Sequence, residues 1–236
     1  MDEIVEINLL LLEKLEIMLN SEIEKEIHGI NLKGRTIQYV LDELNEKNKT
    51  ASLESLGELL KGKGIPKAEV VDSGYPCIRY GELYTKHHRI IRKFYSHINE
   101  DYKTKSLRLH KNDIIFAGSG ETITEIGKSA SFVDEVEAYV GSDTLVFRPH
   151  DMDGIYLGYL MNSQLVRQQL NKYGTGATVM HIYNSDLKKV KIPVRLREEQ
   201  ELIGKRLDEI SKNIQETKFK IATSKSLQKS LINQIF

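Results

Sequence analysis

The densest chemistry in the sequence lies between residues 79 and 95. There Arg79, Lys86, Arg89, Arg92 and Lys93 are interleaved with Tyr80, Tyr84 and Tyr95, and His87 and His88 stand side by side. Guanidinium and ammonium groups match phosphate oxygens, a few arginines can read guanine edges, and tyrosines add hydroxyl donors and apolar faces. The wider window 61–111 holds 12 bases against 5 acids, and four of the seven histidines. The whole chain carries 34 Lys plus Arg against 34 Asp plus Glu. The imbalance is therefore local, and a neutral total can hide a basic face that attracts phosphate. An ordinary solvated strand pair would show the same pattern, and these residues alone do not separate the two readings. On the nucleic-acid reading, Lys63, Lys86, Arg89, Arg92 and Lys93 are expected on phosphates. Lys86, His87 and His88, and the segment holding Ser119, Thr122 and Thr124, are expected beside bases, with Tyr84 among them. Arg79 lies between Ile78 and Tyr80 in a strand-like alternation, where it would contact DNA or pair with an acid inside the domain.

Other chemistries fit poorly. Gly118-Ser119-Gly120 resembles part of a phosphate loop, but no Gly-Lys-Ser/Thr follows at the required spacing, and counting back from Gly127-Lys128-Ser129 puts Thr122 where a glycine is needed. The adjacent His87 and His88 diverge, whereas ligands on one helix face are spaced three or four apart. Asp151 and Asp153 read as a solvated turn. No catalytic residue, cofactor site or metal site is expected.

The elements that must position the basic window come next. Ile4, Ile7, Leu11, Leu15, Met18 and Ile23 predict a helix over residues 4–28, stopped at His28-Gly29. Ile37, Val40, Leu41 and Leu44 predict a second over 36–48. From Ser52 the texture changes to short pieces rich in Val, Ile, Phe and Tyr bounded by turn residues. Strands are expected at 75–80, 90–95, 113–117, 129–132, 138–140, 144–148 and 190–194, with a short helix or turn at 53–60 and one helix over 155–172. The segment 196–236 places Leu196, Ile203, Leu207, Ile210, Ile214, Ile221, Leu227, Leu231 and Ile235 at helical spacings, with a break or a stutter expected near Ala222–Ser226. The expected fold is α+β: a β-rich domain with a mixed or antiparallel sheet, flanked by long coiled-coil-like helices. The expected division is a helical region at 1–52, a DNA-binding domain at 53–194 and a spacer or dimerisation helix at 195–236.

Cys77 is the only cysteine, so no intrachain disulfide and no cysteine cluster for zinc can form. The apolar run Ile7–Leu12 is too short for a bilayer span and follows acidic residues, so no membrane association and a cytoplasmic location are expected.

One run of motifs resembles a known family. Gly74-Tyr75-Pro76-Cys77-Ile78-Arg79-Tyr80-Gly81-Glu82-Leu83-Tyr84 is similar to the opening motif of the target-recognition domain in specificity subunits of type I restriction-modification systems. Leu56-Gly57-Glu58, Gly62-Lys63-Gly64-Ile65, Gly127-Lys128 with Ser129–Val133, Leu145–Pro149, Tyr173–Thr178, Ile192-Pro193-Val194 and Glu198-Glu199-Gln200 resemble further segments of the same domain. Arg195-Leu196-Arg197 departs from the family's usual Pro-Pro-Leu. The resemblance covers about residues 53–236 and implies a non-catalytic subunit with one target-recognition domain, a half-size subunit or a fragment. It implies as partners double-stranded DNA, DNA methyltransferase subunits, a restriction and translocase subunit, and a second half-subunit, either another copy or a different chain. A helical scaffold without DNA specificity and a stand-alone DNA-acting nuclease are the other readings. The first predicts no DNA affinity for 53–194, and the second needs a clustered acid pair that the sequence does not display.

Overall fold

The computed structural model describes residues 2–27, 34–47, 49–120, 122, 125–174 and 180–235. The expected stop at His28-Gly29, Thr124 and most of the 173–178 loop lie outside them.

Helix α1 (Asp2–Glu22) continues as a π-type turn over Ile23–Ile27. Helix α2 (Ile37–Glu46) starts at Thr36, whose hydroxyl accepts the Tyr39 N–H at 3.3 Å. Then come β1 (Thr50–Ser52), α3 (Leu53–Leu56), β2 (Gly57–Lys61), β3 (Tyr75–Ile78) and α4 (Tyr80–Thr85). They are followed by β4 (Arg89–Ile90), β5 (Ser96–Ile98), α5 (Glu100–Lys103), β6 (Leu107–Arg108), β7 (Asp113–Ala117), β8 (Ser119–Gly120), β9 (Ser129–Phe132), β10 (Tyr139–Val140) and β11 (Thr144–Pro149). The chain ends with α6 (Gly154–Leu160), α7 (Gln164–Tyr173), β12 (Met180–His181), α8 (Asn184–Leu187), β13 (Lys191–Pro193) and α9 (Arg197–Ile235).

A five-stranded sheet in the order β2-β11-β7-β9-β4 lies at the centre, antiparallel except for the β4–β9 pair. A four-stranded sheet, β5-β3-β10-β6, packs on it, with β3 and β10 parallel. The expected single mixed or antiparallel sheet is thus divided among the described residues into these two sheets and the short pairs β1-β13 and β12-β8. Successive strand residues point to opposite faces. On β7 and β11, Ile115, Ala117 and Val146 meet Ile78 and Val140 of the smaller sheet. Ile114, Phe116, Leu145 and Phe147 face the other way, into a core shared with Tyr156, Leu157 and Leu160 of α6 and with the long helices. Both faces are buried, which is why these strands read as continuous apolar runs. Arg148 donates to the fully buried Asp113 carboxylate at 2.8 and 2.9 Å and ties the end of β11 to the start of β7.

Antiparallel pairing of β1 with β13 brings the two ends of the β-rich region together. Helix α9 has 39 residues and no break at 222–226, so it is about 58 Å long. It runs antiparallel to α1: Glu16 pairs with Lys218 at 2.8 Å, while Glu22 at the end of α1 and Glu26 in the π-type turn both pair with Arg206, earlier on α9, at 3.2 Å. Leu19 of α1 and Ile23 of the π-type turn, with Ile203, Leu207, Ile210 and Ile214 of α9, belong to the same core as the sheet and α6. Helix α2 packs elsewhere: Val40, Leu41 and Leu44 surround Leu165 of α7.

Other expectations are corrected as well. The strand expected at 90–95 is only the short β4, which ends at Ile90. The segment 53–60 is a single helical turn and then an edge strand, because β2 finds β11. The stretch 155–172 is two helices, separated at Met161–Ser163. The strand expected at 75–80 stops at Ile78, and Tyr80 begins helix α4 instead, because the Glu82 carboxylate accepts the Arg79 N–H at 3.1 Å and starts a turn there. No described helix is long and apolar enough to cross a membrane.

Candidate nucleic-acid interface

The segment after α4 cannot run straight into the sheet. Arg89 has φ of 61°, an uncommon left-handed conformation for a residue other than glycine. It turns the chain so that Ile90 enters β4 while residues 86–88 stay outside. Gly158 of α6 is needed at this point, since a side chain there would come within 2.5 Å of the Arg89 carbonyl oxygen.

The result is a cleft of about 920 Å³ between the sheet domain and the α1–α9 pair. Lys86, His87, His88, Arg89, Arg92 and Lys93 line one side. Lys128 and Arg167 come from the β9 and α7 regions. Glu16 and Asn20 of α1, with Gln215 and Lys218 of α9, form the opposite wall. Cations predominate: the carboxylates lining the cleft are Glu16, which is paired with Lys218, and Glu125, which accepts from the Thr122 hydroxyl at 3.1 Å.

The lining residues differ in what they can offer a ligand. Lys86 and Lys93 are exposed and have no carboxylate partner among the described residues; Lys86 lies 5.3 Å from the centre of the Tyr95 ring. The exposed edge of His88 opens to the cleft, and partial desolvation, then the charges of Lys128, Arg89 and Lys218, hold its pKa below the ordinary value. Burial holds Arg89 below the usual arginine range; its guanidinium lies 5.7 Å from the centre of the Tyr159 ring. Arg92 is committed to Asp208 of α9, which also accepts from Lys212 at 2.9 Å and from the Tyr159 hydroxyl at 3.2 Å. Arg92 therefore fastens the loop to the long helix. His87 is buried beneath the rim, 3.7 Å from Glu82. Burial works to raise the Glu82 pKa, but the neighbouring His87 imidazole and hydrogen bonds from the Ser96 hydroxyl and the Arg79 N–H outweigh it and leave the carboxyl below its ordinary value.

The remaining expected contact residues are dispersed. Tyr84 is half-buried and donates to the Ser119 carbonyl at 2.9 Å, beside the cleft; burial pushes its phenol up to about 12. Ser119 lies on β8 within 3.2 Å of His181 Nδ1. Thr122 is exposed near Glu125, and Thr124 lies outside the described residues. Arg79 caps α4 and does not line the cleft. Lys63 is exposed on the loop after β2, next to the turn at Gly141 and Ser142, and does not line the cleft either. The sequence reading missed Lys128, Arg167 and Lys218. Gly127-Lys128 was visible as a motif, but nothing local places Arg167 or Lys218 beside it.

Among the described residues no group of three or more His, Cys, Asp or Glu could hold a metal ion. The Cys77 thiol is fully buried and pushed up to about 12 by burial, with Glu82 adding to the shift, so it is no nucleophile. What the cleft presents is positive charge at a concave surface, which suits phosphate.

Comparison with known proteins decides the family. The model for the type I restriction modification DNA specificity domain matches residues 45–223. The chain belongs to that family. It is similar to the specificity subunit of the MjaVIII type I restriction enzyme of Methanocaldococcus jannaschii, at 24% identity over 180 residues, which is 74% of this chain and 42% of that protein. It is also 29% identical over 183 residues to a Haemophilus influenzae protein that carries the name type I restriction enzyme specificity subunit S.HindORF215P, covering 75% of this chain and 44% of the relative. The chain thus spans under half the length of these curated relatives. Its fold matches the crystal structure of the HsdS subunit from Thermoanaerobacter tengcongensis with a TM-score of 0.62 at 16% identity, over 100% of this chain and 54% of that one.

In this specificity-domain chain the family motifs have structural duties. Gly127 has φ of 69° and turns Lys128 toward the cleft. Gln200 is buried, accepting the Asp153 N–H and donating to the Arg195 carbonyl, both at 2.9 Å, so it locks the start of α9 to α6. Arg195, where the family usually has proline, donates to the Glu26 carbonyl at 2.5 Å and joins α9 to the end of the α1 region.

Proposed function

We propose that this chain reads duplex DNA sequence-specifically as a specificity subunit of a type I restriction-modification assembly. In this reading residues 53–194 form the target-recognition domain. The region 195–236, with the 1–52 helices, forms the spacer that sets distance to a second specificity chain. The chain itself is non-catalytic: methyltransferase subunits and a restriction and translocase subunit supply the chemistry, and it positions them on the target.

The observation that carries this reading is a cation-rich cleft in which the 86–93 loop is joined by Lys128, Arg167 and Lys218 from elements far apart in the chain. Phosphate contacts fix position and base contacts confer specificity. Lys86 and Lys93, exposed and without a carboxylate partner among the described residues, are assigned to phosphates. His88 and the Ser119–Thr124 segment are assigned to the base-reading side. Lys63 and Arg79 are outlying candidates for the backbone.

The test compares single alanine variants of Lys86, His88 and Lys93 on cognate and scrambled duplexes at several salt concentrations. Lys86→Ala and Lys93→Ala weaken both duplexes alike and reduce the salt slope by about 0.9 per lost contact. His88→Ala lowers discrimination at one base pair by about 1–3 kcal/mol and leaves scrambled-duplex binding nearly intact. Unchanged scrambled-duplex binding in both lysine variants would place the DNA face elsewhere. The outer end of the helix pair, where Ile4, Ile7, Leu227 and Leu231 are exposed, is the assigned surface for a second specificity chain.

A further inference from the structure

The floor of the cleft holds cations that reading by the rim does not require. Arg89, Lys128 and Arg167 are only partly exposed and come from three separate elements. Desolvation comes first in lowering all three pKa values, and Lys128 is lowered further by Arg167 and Arg89. Lys128 donates to the Tyr84 carbonyl at 3.3 Å, which holds its ammonium in place. Across from them Lys218 projects from α9. Glu125 and Glu16 are the opposing carboxylates, and Glu16 already partners Lys218. Like charges gathered in a concave, partly dry recess repel one another, and an anion bound among them removes that cost.

We propose that this recess binds a phosphate group gripped jointly by Lys128 of the sheet domain and Lys218 of the long helix, and that in the working protein the phosphate belongs to the nucleic-acid backbone. The inference rests on the DNA-reading function proposed above. It goes further in making α9 one jaw of the grip as well as a spacer. Its physical basis is size and chemistry. About 920 Å³ is within the range of small-ligand sites, roughly 300–1,000 Å³. It admits a nucleotide-sized anion and leaves a duplex to lie across the rim. Guanidinium groups offer forked donors to phosphate oxygens, and a lysine supplies a point charge.

The probe is inorganic pyrophosphate, titrated calorimetrically into the full chain, with duplex binding measured in parallel on Lys128→Ala and Lys218→Ala. Lys218 is exposed on a helix surface, so its variant keeps the test sound if Lys128→Ala melts early. The expected result is pyrophosphate binding that falls at least tenfold in either variant and is displaced by duplex. Each variant should also lose about 0.9 of the salt slope for duplex binding. Pyrophosphate binding that duplex does not displace, with duplex affinity unchanged in both variants, identifies a free phosphate ion as the ligand and overturns the assignment to the nucleic-acid backbone. No pyrophosphate binding, with duplex affinity and salt slope unchanged in both variants, overturns the site altogether. In either case, weakening by Lys86→Ala and Lys93→Ala leaves the DNA-reading function standing.

Discussion

At its base the α1–α9 pair buries Leu19, Ile23, Leu207, Ile210 and Ile214 in the core of the sheet domain, whereas its outer end leaves Ile4, Ile7, Leu10, Leu227, Leu231 and Ile232 in contact with solvent. The helical spacing of apolar residues is similar at both ends. The difference is the third body: α6 and the sheet cover the base, and two helices alone cannot cover a broad apolar stripe. Charge follows the same division. The base carries Asp208, whose carboxylate gathers Arg92, Lys212 and the Tyr159 hydroxyl, so the loop of the basic cleft is anchored to the helix at the end where the helix is itself anchored. One periodic sequence thus does two jobs: it completes a domain at one end and presents a surface at the other.

The sharpest way to break this comparison is a matched pair of truncations. Leu207→Ala, at a fully buried site, is expected to cost about 3 kcal/mol. Leu227→Ala, at an exposed one, is expected to cost under about 0.5 kcal/mol. Equal losses in urea unfolding would show that the two ends are not differently supported. Asp208→Ala comes next, at about 2 kcal/mol. That is less than for a fully enclosed pair, because the Arg92 side chain is 32% exposed. Its distinguishing sign is weakened DNA binding at temperatures where the protein remains folded, since the 86–93 loop loses its tether.

At the outer end, the double change Ile7→Lys and Leu231→Lys is expected to leave the melting temperature nearly unchanged and, where the proposed second chain is another copy, to lower the mass in solution, measured by sedimentation equilibrium. A lowered melting temperature with unchanged mass would move this surface into the folded core of a single chain. The smallest effect is set by pH. Glu82 has its pKa below the ordinary 4.5 despite burial, so its ionised form favours the folded state. That contribution is complete at neutral pH and is lost as pH falls from about 4.5 through the lower folded value. Glu82→Gln should flatten this part of the acid-unfolding curve, and an unchanged acid limb would show that Glu82 does not support the loop in this way.

Much of this was legible from local pattern. Short runs rich in Val, Ile and Phe between turn residues located β7, β9 and β11, and helical spacing located α9. The basic window located one side of the cleft, because Lys86–Lys93 is contiguous in sequence. The family motifs placed the 74–84 segment without showing that its second half is helical. That outcome depends on the Glu82 carboxylate closing a turn on Arg79 while its other oxygen accepts from Ser96 at 2.5 Å.

The sequence by itself determined the mixed fold, the long terminal helix and the local excess of positive charge, since composition and periodicity are properties of neighbouring residues. Only the tertiary structure decided which charges face a ligand. Arg92 is taken up by Asp208, 116 positions away, and His87 is buried against Glu82, while Lys128, Arg167 and Lys218 are carried to the cleft by elements far apart in the chain. Such meetings are set by how the sheets, α6 and the helix pair close on a shared core. That closure is decided by packing over the whole chain, and no window of sequence contains it.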